Sequence, residues 1–305
     1  MSSAVQEPKR HHYIPEFFLR RWCLTNGKVT RYVRTRRGIW AKEFAPKAVA
    51  FRTDLYKLRG RGIAQPHGIE TNFFQRLDSR ASVVIAKIID GPRRMITREE
   101  QEILAMFVLA LPARNPWTIE HGEESAYKAH REALNDEPKG PAAAGPSTEE
   151  PLFEHLLKAN PYWMEDRTRQ ILIEVMTDPA KVERLLRMEW FCRDLTGCLQ
   201  DLVLADRPLL RMNELMDDRC ILVLPVSPKA ALFASSLPSL INDIRSRSDG
   251  DLVQMLNVDS AAQAKEHLFA SGRHHAALAE RYLMNDAPFL DLQEHASSDA
   301  PPSDP

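Results

Sequence analysis

The chain has 305 residues, with 41 Lys and Arg against 42 Asp and Glu, so net charge alone identifies no polyanionic partner. That length supports a sizeable core in one large domain or two small ones. The four cysteines (Cys23, Cys192, Cys198, Cys220) form no C-x-x-C pair, so neither a zinc knuckle nor a dithiol redox motif is present, and free thiols in a reducing compartment are expected.

The charge is segregated along the chain. Residues 1–62 hold 15 Lys and Arg against 4 Asp and Glu, a net of +11, and the remainder carries −12. A basic segment of this kind either meets an anionic ligand or docks on the acidic part of its own chain.

The opening stretch, residues 9–22, packs four basic residues, two adjacent histidines and four aromatics into fourteen positions. Pro15 suits the first position of a short helix. Phe18 and Trp22, four apart, then pack on the core, and His12 and Tyr13 hydrogen-bond onto it. Arg20 and Arg21 face different sides, so one can reach inward. Residues 28–34 alternate with period two and predict a strand, residues 36–38 a turn, and residues 39–44 the return strand of a hairpin. A third short strand is expected at residues 54–58, before a Gly- and Pro-rich loop.

From Ile69 the pattern is helical. Phe73, Phe74, Leu77, Ala81, Val84, Ile85 and Ile88 form one apolar stripe at 3.6-residue spacing. Residues 97–100 spell a capping box, Thr-Arg-Glu-Glu. The next helix is apolar enough to lie at the centre of the core until Pro112 and Pro116 break it on either side of Arg114. A polar helix follows over 120–135, then a Pro-, Gly- and Ala-rich flexible loop at 137–148. Helices resume near 149, at 162–176 and at 179–188. Short buried strands are predicted at 190–192, 201–206, 220–224 and 231–235, then helices at 237–246 and 252–271, and a disordered tail at 286–305.

The fold class is α+β: one domain over 1–285, made of a basic strand module (1–62), a helical core (69–188) and a strand-and-helix portion (189–285). The two strand groups are candidates to share one sheet. With no apolar h-region at the start and no apolar run longer than residues 103–113, no signal peptide or membrane span is expected, and the protein is placed in the cytoplasm.

His12-Tyr13-Ile14-Pro15 followed by Leu19-Arg20 resembles the N-terminal signature of an uncharacterised prokaryotic family, domain-of-unknown-function family 4238. Ile69-Glu70, Arg114 with Pro116, Asp206-x-Pro208 and residues 224–228 (Leu-Pro-Val-Ser-Pro) are similar in the same order, to about residue 284. Where the family tends to place Ser or Thr before the aspartate and Asn after it, this chain has Ala205 and Arg207. The resemblance supplies a map of positions and implies no activity.

The candidate catalytic residues are His12, Glu70 and Asp206, and the candidate binding residues are Tyr13, Arg20 and Arg114. Glu70 opens a helix, where the backbone dipole favours its charge. Asp206 ends a predicted strand, a position that often holds catalytic acids. A guanidinium is a fork-shaped donor for carboxylate or phosphate. Converging, these groups would supply a base, two carboxylates and two guanidiniums, a set suited to phosphoryl or glycosyl chemistry. A structural polar network uses the same residue types.

The H-x-x-P opening only partly echoes His-Asn-His nucleases, and His12, His67 and the His274-His275 pair lack metal-ligand spacing, so no metal or other cofactor is assigned. The P-loop, dinucleotide, G-x-S-x-G and H-E-x-x-H signatures are absent. Two expectations stand. One is a nucleic-acid- or nucleotide-directed hydrolase with nucleic acid or another phosphate-bearing partner, Tyr32, Trp40 and Tyr56 being interleaved among its basic residues. The other is a non-enzymatic binding or regulatory domain.

Overall fold

A computed structural model describes residues 9–60, 62–90, 96–136 and 152–283. The expected loop at 137–148 and tail at 286–305 lie outside these residues. The chain is an α+β protein. Its basic segment begins with β1 (Arg10–His12), α1 (Glu16–Leu19) and a 3-10 turn through Trp22. The hairpin β2 (Val29–Thr35) and β3 (Gly38–Phe44) follows, then β4 (Phe51–Thr53). Gly38 sits at φ +103 in the hairpin turn, a conformation open mainly to glycine. The strand expected at 54–58 lies at 51–53 instead. Asp54, at φ +57, turns the chain out of the extended conformation.

A π-helical stretch over Ile69–Phe74 leads into α2 (Gln75–Asp90). Next come α3 (Arg98–Ala113), α4 (Pro116–Asp136), α5 (Leu152–Ala159), α6 (Trp163–Met176) and α7 (Pro179–Arg187). The capping box forms as predicted: Thr97 Oγ1 accepts from Glu100 N, and the Glu100 carboxylate accepts from Thr97 N at 2.7 Å. Pro112 sits in the last turn of α3 and Pro116 starts α4, so Arg114 and Asn115 occupy the break between them.

The C-terminal part holds β5 (Glu189–Asp194), β6 (Leu204–Ala205), β7 (Leu210–Met212), β8 (Ile221–Ser227), β9 (Ala230–Ser235), α8 (Pro238–Ser246), α9 (Asp249–Gln263), β10 (Leu268–Ala270) and α10 (Ala276–Tyr282). The helix expected over 252–271 is therefore two elements. Leu268, Phe269 and Ala270 are fully buried and pair on one side with β2 and on the other with β6, so tertiary pairing overrides local helical preference.

Among the described residues the strands form three small antiparallel sheets, ordered β1-β4, β3-β2-β10-β6 and β5-β9-β8-β7. The expected joining of N- and C-terminal strands occurs in the second sheet, while the third is entirely C-terminal. Phe18, Leu19 and Trp22 pack into the same core as Phe74, Ile85, Phe107 and Leu111, so the opening segment is anchored on α2 and α3. Among the described residues no helix is long and apolar enough to cross a membrane.

Candidate functional site

Three consecutive residues of the opening segment, His11, His12 and Tyr13, have three destinations. His11 is fully buried and stacks on Tyr56, ring centroids 5.3 Å apart. Tyr56 donates its backbone N–H to His11 Nδ1 at 2.9 Å, and His11 Nε2 lies 3.1 Å from His67 Nδ1. Since Nδ1 of His11 already accepts, the neutral ring carries its proton on Nε2 and donates it to His67. The loop carrying His67 is fixed from α6. The Asp166 carboxylate accepts from Arg59 N at 2.8 Å and Gly60 N at 2.7 Å, and Arg169 Nε donates to Leu55 O at 3.0 Å. A Cβ on Gly60 would stand 2.8 Å from Asp166 Oδ2, so the close approach requires glycine.

His11, His67 and Asp54 bring one ligand atom each to within 4.8 Å of one another, and Asp54 Oδ1 is buried with no hydrogen-bond partner. By residue type this trio suits a transition metal. The tautomer does not. A metal on Nε2 of His11 needs the lone pair that the proton occupies, whereas a ligating histidine ordinarily donates from its other nitrogen. As arranged, the two rings are hydrogen-bonded to each other, so a metal at this trio would have to displace the Nε2 proton of His11.

His12 points the other way. It is half-buried against Phe51, and Nε2 is buried with no partner. Burial lowers its pKa, against the raising influence of Glu16 and Asp78.

Beyond Tyr56 lies a second buried layer. The Tyr56 hydroxyl donates to Arg114 O at 2.8 Å. The Arg114 guanidinium is completely buried, crosses the Phe74 ring at 5.1 Å, and holds Asp78 with two bonds of 3.1 and 3.0 Å. Glu70, on the π-helical stretch, is buried beside this pair. Burial first, and the Asp78 charge second, push its carboxyl up to about 7, against Arg114 and a hydrogen bond from Gln75. Glu70 Oε2 is buried without a partner, which suits a carboxyl that holds its proton.

The expected constellation is thus split. Glu70 and Arg114 come together through Asp78, whose charge also reaches His12. Arg20 instead points to solvent, with 66% of its side chain exposed, and pairs with Glu16 at 2.6 Å. Arg21 is the more buried of the two and meets Asp90 at 3.3 Å. The Asp206 carboxylate accepts from the backbone N–H groups of Lys265, Glu266 and His267 at 2.9, 2.6 and 3.0 Å. It ties β6 to the loop before β10. Burial raises its pKa while those three donors lower it.

Tyr13, the third residue of the run, is buried where the opening segment approaches the face of the second sheet. Burial pushes its phenol far up, and the charges of Asp206, Glu266, Arg52 and Arg31 reach it. On that face Arg31 stands opposite Lys42, Val33 opposite Trp40, and Phe269 opposite Arg31 on the other side. The Arg31 guanidinium lies 4.4 Å from the Phe44 ring and 5.7 Å from Trp40; the Lys42 ammonium lies 5.7 and 6.0 Å from the same rings. Among the described residues neither Arg31 nor Lys42 has a carboxylate at ion-pair distance. Trp40 is 41% exposed, whereas Tyr32 and Tyr56, expected to present aromatic faces with it, are fully buried.

A separate cavity of about 850 Å³ lies between β5 and the facing ends of α2 and α3. None of the predicted site residues lines it. Its cations are internally neutralised, Lys87 by Glu100, Arg193 by Asp249 and Arg245 by Glu189. Burial, and after it the Asp194 charge, push the Cys192 thiol in its wall up to about 11, which favours the protonated thiol at neutral pH.

His11, Asp78 and Arg31 are not among the expected site residues, while Tyr56 is expected only as an aromatic among the basic residues and His67 is considered only as a metal ligand. Asp78 lies two turns beyond Glu70 in the same helical run, and nothing in the sequence sets it apart from the other polar residues there.

The geometry defines an α+β protein with a sealed polar layer under its opening strand and a cationic, aromatic-flanked sheet face beside it. A family profile matches residues 10–274, and the chain belongs to that family, described as protein of unknown function, DUF4238. No curated protein and no solved structure matches the chain.

Proposed function

We propose that this protein is directed at nucleic acid and binds it through the exposed part of the β2–β3 face. One observation carries the reading: Arg31 and Lys42, side by side on adjacent strands, have no carboxylate at ion-pair distance among the described residues and flank Trp40 and Phe44. Unpaired cations interleaved with an exposed aromatic suit a phosphate backbone and the bases it carries. In this reading the His11–Tyr56–Arg114 layer is the rigid support of a binding module. Anisotropy of a fluorescent oligonucleotide, measured from low to moderate salt, tests it. Binding should weaken steeply as salt rises, and flat or absent binding at low salt removes the proposal.

A second reading, a nucleic-acid- or nucleotide-directed hydrolase, is favoured by Glu70, a buried carboxyl titrating near neutrality, together with the half-buried His12, whose pKa burial lowers. Groups of this kind are matched to acid–base chemistry at physiological pH. Incubation of labelled single- and double-stranded substrates with Mg²⁺, Mn²⁺ or neither separates the two. Cleavage lost in both Glu70→Gln and His12→Ala supports the hydrolase, and binding without cleavage supports the module.

A further inference from the structure

We infer that the sheet face holds a nucleotide subsite for single-stranded nucleic acid, with Arg31 gripping one phosphate and Trp40 stacking the adjoining base. This rests on the nucleic-acid reading and names where and how the strand is held. Among the described residues of this face, Arg31 is the cation with a buried, unsatisfied donor. It is half-buried, its Nε is sealed from solvent without a partner, and it has no counter-ion among the described residues. Taking a guanidinium partly out of water without an anion is costly. An incoming phosphate supplies that anion, and the outer guanidinium nitrogens, which are not sealed, are its contact.

The neighbours restrict what else could serve. Arg52 is already held by both oxygens of Glu266 at 2.7 and 2.8 Å, so this pair is a neutral wall. His267 lies on the same face beyond Phe269, with Nδ1 buried and unpartnered, and contributes no charge at neutral pH. Among the described residues of this face, the cations without a carboxylate at ion-pair distance are Arg31 and Lys42. Trp40 follows Lys42 along the same face of β3, about 7 Å away by strand geometry. An anion site one strand repeat from an open indole matches a nucleotide, which carries phosphate and base together. An indole platform needs an unpaired base, hence a single strand.

The test is anisotropy of labelled dT10 and of the corresponding duplex with the full chain. Variants are Arg31→Gln, Arg31→Lys, Trp40→Ala and, as a distant control, Arg245→Gln. The subsite predicts that Arg31→Gln weakens dT10 binding about tenfold and lowers the salt slope by about one. Arg31→Lys should restore the slope in part. Trp40→Ala should weaken binding five- to tenfold with the slope unchanged, and Arg245→Gln should bind as wild type. Unaltered melting temperatures confirm that the variants fold. Wild-type binding that survives Arg31→Gln overturns the subsite and leaves the nucleic-acid reading standing, whereas no wild-type binding overturns both. Duplex bound as tightly as dT10, or equal binding of polyglutamate, overturns the base-stacking assignment.

Discussion

Tyr56 gives its backbone N–H to Nδ1 of His11, and that single bond of 2.9 Å fixes the chemistry of the adjacent histidine pair. It sets the tautomer, directs Nε2–H at His67 3.1 Å away, and removes the lone pair that a metal would need. The trio of His11, His67 and Asp54 should therefore give no tetrahedral Co²⁺ absorption band, and neither Zn²⁺ nor a chelator should move the melting temperature. A stoichiometric Co²⁺ band would show that the ring abandons Tyr56 to bind metal.

The same bond makes His11 structural. His11→Ala leaves a buried N–H unpaired and a cavity against Tyr56. The expected loss is about 3 kcal/mol in urea denaturation, from an unsatisfied donor plus the lost packing. A loss under 1 kcal/mol would mean that water or a side-chain shift replaces the ring at little cost.

Glu70 and Asp259 set one pH dependence and two histidines the opposite one. Burial lifts Glu70 from 4.5 and Asp259 from 3.8, each to about 7. In the window between their ordinary values and 7 the folded state holds protons that the unfolded chain has released, so stability falls as pH rises. His267 and His275 are pushed by burial from 6.5 to about 4. Between these values the unfolded chain binds protons that the fold refuses, so stability rises with pH. The two slopes oppose each other between about pH 5 and 6.5. The urea midpoint of the wild type should be nearly flat there. Glu70→Gln replaces a carboxyl that must lose its proton with a neutral amide. It should gain up to about 3 kcal/mol at pH 8 and show stability rising with pH between 5 and 6.5. Curves parallel to wild type at every pH would place the Glu70 carboxyl in contact with solvent.

What the sequence revealed and what it hid divide along contact range. The β2–β3 hairpin, the Thr97–Glu100 capping box and the apolar stripe of α2 are local patterns, and each formed at its expected place. β10 was hidden because its strand character comes from Tyr32 and Leu204, far off in the chain. Arg114 was legible as a charge held between two prolines, yet its partner Asp78 reads as one more polar residue on a helix. Trp40 and Tyr56 look alike in sequence, but only the former ends on an open sheet face.

Arg114 and Arg20 should differ sharply on substitution, although both were candidates for the same anion. Arg114→Ala strands the Asp78 carboxylate and empties a fully buried volume between Phe74 and Phe107. The expected cost is about 3–5 kcal/mol, as for breaking a buried pair on one side. Arg20→Ala removes an exposed pair with Glu16 and should cost under about 0.5 kcal/mol. Equal losses of nucleic-acid binding with no change in stability would instead assign both to ligand contact.

Asp206 offers the cleanest separation of a structural from a catalytic carboxylate. Three backbone N–H groups converge on its two oxygens, and Asn115 Nδ2 donates to its carbonyl at 2.9 Å, so the residue holds the α3–α4 break, β6 and the loop before β10 in one place. Asn at this position keeps the shape but turns one acceptor into a donor facing an N–H. Asp206→Asn should therefore cost about 2 kcal/mol and accelerate hydrogen exchange at Lys265, Glu266 and His267. In a catalytic role the same substitution would abolish turnover with the stability and exchange rates of the loop unchanged.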